Sequence, residues 1–343
     1  MRTALITGVA GVALAPREVA FLREVRPAGL ILFARNLQSH AQIRALIDAV
    51  HDVVGSDELL VLIDQEGGRV QRLRPPLGRK LPPAAAFGRI FGRDPAGAAA
   101  AAYAVARLLA QDLKALGINT NCAPVVDLPV AGSHEIIGDR AYGPEPAQVI
   151  ALAKAVAEGL MAGGVLPVIK HIPGHGRAMA DSHLALPVVT ESRAELSATD
   201  FAPFKALARM PAAMTAHVVF RSIDPDEPAS TSAIVTHEII RGEIGFDGLL
   251  MSDDLSMKAL SGDMRTRAQR VIAAGSDVAL HCNGDLSEMQ AAAAGVPPLS
   301  GRSQERFSAA LAVMTKAQPF DSVAAEAVLG GVLTAAADGA ESV

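Results

Sequence analysis

The sequence predicts an α/β protein, a single (β/α)8 barrel of the TIM type with room for one irregular strand and its active site at the strand C-terminal face. Three observations carry that expectation. Eight short apolar runs recur along the 343 residues. Between them lie segments whose apolar residues repeat at helical spacing, the pattern of βα units on a parallel sheet. No G-x-G-x-x-G follows the first run, so an open doubly wound sheet holding a dinucleotide has little support.

The strands are expected at 3–9, 28–33 (AGLILF), 59–64 (LLVLID), 119–126, 165–170 (VLPVIK), 212–219 (AAMTAHVV), 248–253 (GLLMSD) and 277–282 (DVALHC). Helix signals separate them. Ser39 with Gln42 reads as a capping box, Ile43, Leu46, Ile47, Val50 and Val54 form one apolar stripe, and Gly55 supplies the stop. Asp94-Pro95 opens an Ala-rich helix that ends at Gly117, and Val149, Leu152, Ala153, Val156, Ala157 and Leu160 make a second stripe before Gly163-Gly164. With no linker, repeat or low-complexity tract, residues 1–343 read as one catalytic domain, with about 319–343 a peripheral C-terminal helix and tail.

Composition narrows the chemistry. Half of the residues are hydrophobic, dominated by Ala, Val and Leu with no Trp, so the interior must be built from closely packed small aliphatic groups. A net charge of −5 without any Lys/Arg run argues against nucleic acid or an anionic membrane as partner. Cys122 and Cys282 sit in apolar contexts without C-x-x-C spacing and read as reduced core residues. The N-terminal run ending Ala13-Leu14-Ala15 imitates a signal peptide, but Gly8 and Gly11 interrupt it and Pro16 follows the would-be cleavage point. A cytoplasmic monomer acting on a small molecule without a cofactor is the expectation.

The segment 170–187, KHIPGHGRAMADSHLALP, is the densest in titratable groups and helix breakers. Asp181 and His183, two apart, would share a side in an extended segment, where the carboxylate can fix the imidazole tautomer and favour its protonated form. Other polar groups stand at strand C-termini: Asp64, Asp127, Lys170, His171, His217 and the pair Asp253-Asp254. Of that pair, alternation lets only one face the barrel mouth. Asp253, kept ionised by cations such as Lys170 or Arg140, could attack a sugar's anomeric carbon, while Asp254 caps a helix starting LSMKAL. Asp64 and Arg72, joined through a turn at Gly67-Gly68, and Arg140 could bond sugar hydroxyls. A zinc site from His171, His175 and His183 would suit a metal-dependent barrel hydrolase of amides or phosphoesters. However, Pro173, Gly174 and Gly176 preclude the helix that would align two of those ligands.

Taken in order, LIDQEGGRVQR, IGDRAYG, KHIPGHG with DSH and LP, MTAHVVF and SDDLSM resemble glycoside hydrolase family 3, and within it the short single-domain β-N-acetylglucosaminidases of the NagZ type. The resemblance spans about residues 3–285. It implies a retaining hydrolase that removes terminal β-linked N-acetylglucosamine, with peptidoglycan fragments (GlcNAc-1,6-anhydro-MurNAc and its peptides) as recycling substrates. It also implies Asp253 as nucleophile, His183 as acid/base, Asp181 as its partner, and Asp64, Arg72, Arg140, Lys170 and His171 as sugar ligands. Arg177 departs from the acidic or small residue common at that place in the family. A β-glucosidase, a glycoside phosphorylase or a noncatalytic sugar-binding protein of the same fold would share most of these motifs.

Overall fold

Eight parallel strands close into a barrel: β1 (Thr3–Thr7), β2 (Pro27–Leu32), β3 (Leu60–Ile63), β4 (Thr120–Asn121), β5 (Leu166–Pro167 and Ile169–Ile172), β6 (Ala212–Thr215), β7 (Leu249–Asp254) and β8 (Val278–His281). The computed structural model describes residues 1–130, 132, 136–178, 186–314 and 317–338. Closure rests on β5. Its first half pairs with β4 and its second with β6, so one stave borders both neighbours and the sheet keeps no open edge.

The alternation along each strand divides the apolar residues into two layers. Ala4 and Ile6, Leu60 and Leu62, Leu249 and Met251, and Val278 and Leu280 fill the barrel interior. Leu5, Val61, Ile63, Leu250 and Ala279 point outward against the helices. Helix Gly301–Val313 stoppers the N-terminal end, its Phe307 and Ala310 joining the interior cluster. The chain before it is tied to β1 by Ala4 N–H to Pro297 O at 2.9 Å and Leu299 N–H to Arg2 O at 2.7 Å. The other end of the barrel is left for chemistry.

Each expected strand forms, with informative differences in length. The run 119–126 yields only Thr120–Asn121 because Pro124 has no N–H to continue the ladder, although Val125 still bridges Lys170. The run 212–219 breaks after Thr215, and Val219–Phe220 instead pairs with Val188–Val189. Helix His40–Val54 buries all five stripe residues and ends at Gly55 with φ 70°. Its capping box is only half present: Ser39 Oγ accepts from Gln42 N–H, but Gln42 Oε1 takes the amide of Gln38. Helix Pro95–Ala115 starts on Asp94, and Pro146–Ala162 buries its stripe against it. Helix Ser322–Asp338 lies on Pro95–Ala115, held by Arg79 between Asp112 (2.9 Å) and Glu326 (2.8 Å). Among the described residues, no helix is long and apolar enough to cross a membrane.

Candidate active site

A cavity of about 270 Å³ opens at the C-terminal ends of the strands, lined by Asp64, Glu66, Arg72, Arg140, Lys170, His171, Asp253 and Asp254 over an apolar floor that includes Ile31, Met214 and Leu280. Small ligand sites have about this size.

From β3 the chain delivers Asp64, then turns back through Gly67 (φ 112°) and Gly68 (φ 56°) to present Arg72. Buried Gln65 clamps this hairpin. Its Oε1 accepts the amides of Arg72 and Leu73, each at 2.9 Å, and its Nε2 donates to Leu73 O at 2.9 Å. Every buried polar atom of that side chain is thereby used, which fixes Arg72 without reference to a ligand. Arg72 Nη2 meets Asp64 Oδ2 at 3.0 Å and its guanidinium stacks 5.0 Å from the Phe33 ring centroid, with Arg35 at 5.0 Å likewise.

Lys170, 3 % exposed at its side chain, lies between Asp64 Oδ1 (3.0 Å) and Glu66 Oε1 (2.7 Å). Glu66 in turn receives both Nε and Nη2 of Arg140 at 2.8 Å. This fork is the strong, direction-setting form of the ion pair. Burial pushes both carboxyls toward the neutral form, but the cations win. Lys170 and Arg72 hold Asp64 well below its usual value, and Lys170 and Arg140 draw Glu66 down to about 2. Burial likewise works against the charge on Lys170, yet the two carboxylates raise its pKa. All partners are therefore ionised at neutral pH, a rigid array of fixed charges.

Glu66 was not singled out in the sequence. The available signal was its position two residues beyond Asp64 in an extended segment, which puts both on one side.

The next carboxylate is Asp127. It accepts Nδ1–H of His171 at 2.7 Å and the backbone amides of His171 (3.1 Å) and His175 (2.8 Å). Despite full burial its pKa is lowered, chiefly by His171. The bond fixes the His171 tautomer and leaves Nε2 for a ligand. Burial, then His171, presses the pKa of His175 down to about 4, so that ring is neutral at pH 7. Gly176 follows, packed so closely on the backbone that a Cβ there would stand 1.6 Å from Leu128 O. Arg177, the residue out of pattern, anchors the chain outside the cavity: it meets Asp200 (2.7 Å), Glu191 (3.2 Å) and Glu195 (3.1 Å). Asp181 and His183 lie outside the described residues.

At the end of β7, two expectations need correction. Asp253 and Asp254 both line the cavity, because the pairing of β7 with β8 slips between Met251 and Asp254 and the extra residue breaks the alternation. Asp254 caps no helix, since the residues after it form turns. Its carboxylate instead takes the amides of Ser256 (3.0 Å) and Cys282 (3.1 Å) and the Ser256 hydroxyl (2.5 Å). Asp253 Oδ1 accepts the Asp254 amide at 2.8 Å, which leaves Oδ2 without a hydrogen bond among the described residues. Burial opposes its charge, but His217, His171 and Lys170 together lower its pKa. Arg140 is spent on Glu66 and is not among those groups.

A partly exposed, ionised carboxylate facing a cavity of fixed donors and acceptors suits a hydroxyl-rich ligand with one electrophilic carbon. Residues 8–316 match the family described as "Glycosyl hydrolase family 3 N terminal domain". The chain belongs to glycosyl hydrolase family 3. Its relatives in this family include a β-hexosaminidase of Alkalilimnicola ehrlichii, 42 % identical over 283 residues covering 81 % of this chain and 80 % of that protein. A β-hexosaminidase of Bordetella avium is 40 % identical over the same shares. Among solved structures, native NagZ from Neisseria gonorrhoeae superposes with a TM-score of 0.86 at 35 % identity, covering 96 % of this chain and 98 % of that one. A family 3 β-N-acetylglucosaminidase from Paenibacillus gives a TM-score of 0.86 at 31 % identity, over 97 % of this chain and 67 % of that one. This family 3 protein is thus a glycoside hydrolase on a TIM-type barrel.

Proposed function

We propose that the enzyme is a retaining exo-β-N-acetylglucosaminidase that removes terminal, non-reducing β-linked N-acetylglucosamine. Its substrates in the cell are peptidoglycan fragments, GlcNAc-1,6-anhydro-MurNAc and its peptides, released during wall recycling. The observation that carries this reading is Asp253 at the tip of β7, its charge favoured and its Oδ2 without a hydrogen bond among the described residues, beside the Asp64–Lys170–Glu66–Arg140 array. The names of the similar proteins, β-hexosaminidase and β-N-acetylglucosaminidase, supply the sugar.

Oδ2 of Asp253 attacks the anomeric carbon as the glycosidic C–O bond breaks, and His183, paired by its sequence spacing with Asp181, gives the departing oxygen its proton. Water then attacks the resulting glycosyl ester. His183 recovers a proton from that water, and Asp253 leaves as carboxylate with the β configuration retained. Asp64, Arg72, Arg140, Lys170 and His171 hold the sugar through the hydrogen-bonding capacity that their own pairing leaves over.

The test is release of chromophore from β-GlcNAc and β-glucose glycosides, with and without phosphate. The reading expects GlcNAc release, weak glucose release and free GlcNAc as product in either buffer. Preference for glucose, or a sugar phosphate as product, would replace it with the glucosidase or phosphorylase. Activity abolished by a chelator would instead point to the metal-dependent hydrolase.

A further inference from the structure

His217 is wholly buried between the ends of β6 and β7 and, beyond helping to lower the pKa of Asp253, is used by no step above. Its Nε2 lies 3.0 Å from the carbonyl oxygen of Asp254 and its Nδ1 2.7 Å from Ser230 Oγ. A carbonyl only accepts, so the ring proton sits on Nε2, and Nδ1 must accept from the Ser230 hydroxyl. One neutral tautomer satisfies both contacts. Burial lowers the pKa of His217, so the ring carries one proton at pH 7 and gains the charge that lowers the pKa of Asp253 only in acid.

The chain brings Ser230 to this place deliberately in a physical sense. Residues 228–230 run beside the end of β6, with Ala229 N–H to Val218 O at 2.8 Å and Ser230 N–H to Ala216 O at 3.2 Å. Asp254 is thus gripped at two points, its carbonyl by His217 and its carboxylate by Ser256 and the amide of Cys282. The remaining polar group, its N–H, holds Asp253 Oδ1 at 2.8 Å. The bulge at this point in β7 removes ladder bonds that would otherwise set the backbone, so side chains supply the restraint.

We propose that His217, oriented by Ser230, is a positioning residue that fixes the Asp254 backbone and through it the attack direction of Asp253 Oδ2. The inference rests on the reading of Asp253 as nucleophile. It concerns covalent bond formation and not sugar binding, because His217 and Ser230 do not line the cavity.

The experiment uses the full chain and a slow fluorinated β-GlcNAc donor, measuring the rate of covalent labelling beside the dissociation constant of GlcNAc. Loss of the Nε2 donor in His217→Leu is expected to slow labelling on the order of 10- to 100-fold, the effect of a small misplacement of reacting atoms, while GlcNAc binding stays within about twofold. His217→Gln, whose amide can still donate to the carbonyl, should recover most of that loss. Should His217→Leu not fold, Ser230→Ala decides, with slower labelling expected. Labelling at the parent rate in His217→Leu or Ser230→Ala, a Gln variant no better than Leu, or slowing matched by weaker GlcNAc binding would overturn the proposal. Peptide mapping keeps the two claims apart: a label on Asp253 in the parent upholds the nucleophile whatever the variants do, and a label elsewhere removes both.

Discussion

Replacing Lys170 with Met keeps most of the side chain's length and apolar bulk and removes the cation shared by Asp64 and Glu66. Two independent lines give its cost. Holding Glu66 at about 2 instead of its ordinary 4.5 corresponds to about 3 kcal/mol of stability at neutral pH, won against burial by the attraction of Lys170 and then of Arg140. Breaking a buried pair by deleting one partner typically costs about 3–5 kcal/mol, and here Arg140 and Arg72 soften the loss. We expect about 3 kcal/mol in urea unfolding at pH 7. The sign with pH follows from the lowered carboxyl. Its contribution is complete above the unfolded pKa near 4.5 and fades as pH falls toward 2, so the Glu66 share of the difference should shrink to about 1 kcal/mol by pH 3, while Asp64, held lower still by the same lysine, keeps more of its share. A difference below about 1 kcal/mol at pH 7, or one that does not change between pH 7 and pH 3, would refute the argument that Lys170 stabilises ionised carboxylates.

Other outcomes follow from the same geometry. In Gly176→Ala the new Cβ meets backbone oxygen, which no rotamer relieves, so thermal melting should report a loss of roughly 3 kcal/mol, and an unchanged melting temperature would count against the close approach to Leu128. The pKa of Asp253 is lowered, so the acidic limb of kcat/KM should lie below the ordinary carboxylate range near 4; a limb at pH 5 or above on a stable enzyme would contradict it. His183→Ala should lose most activity, on the order of 100-fold, toward natural glycosides. It should lose far less toward a dinitrophenyl glycoside, whose leaving group needs little protonation, and equal losses on both would count against acid catalysis by His183.

Much of the barrel was legible because buried parallel strands read as continuous apolar runs, as in Leu60–Ile63 and Val278–His281. Pro124 curtailed the fourth strand, an effect visible in the sequence yet hard to weigh against its apolar flanks. The structure brings Asp64, Arg72, Arg140, Lys170, His171 and Asp253 to one cavity, as their places at strand ends suggested. Glu66 escaped because it lies two residues past the end of the expected strand, where a surface role is the ordinary expectation for a glutamate. The pairing of Asp127 with His171, the grip of His217 on Asp254 and the clasp of Arg177 on Asp200 join residues from separate loops, and no local pattern announces them. Asp254 misled for a different reason. An Asp before LSMKAL looks like a helix cap, but the bulge in β7 and the Cys282 amide claim it first.

Turnover depends on one bond, between Asp253 and the anomeric carbon. Trapping the parent enzyme with a slow fluorinated GlcNAc donor and sequencing the modified peptide tests it most directly. A single glycosyl adduct on Asp253, absent from Asp253→Asn, is the predicted result; an adduct on any other side chain, or ordinary turnover by Asp253→Asn, would contradict it.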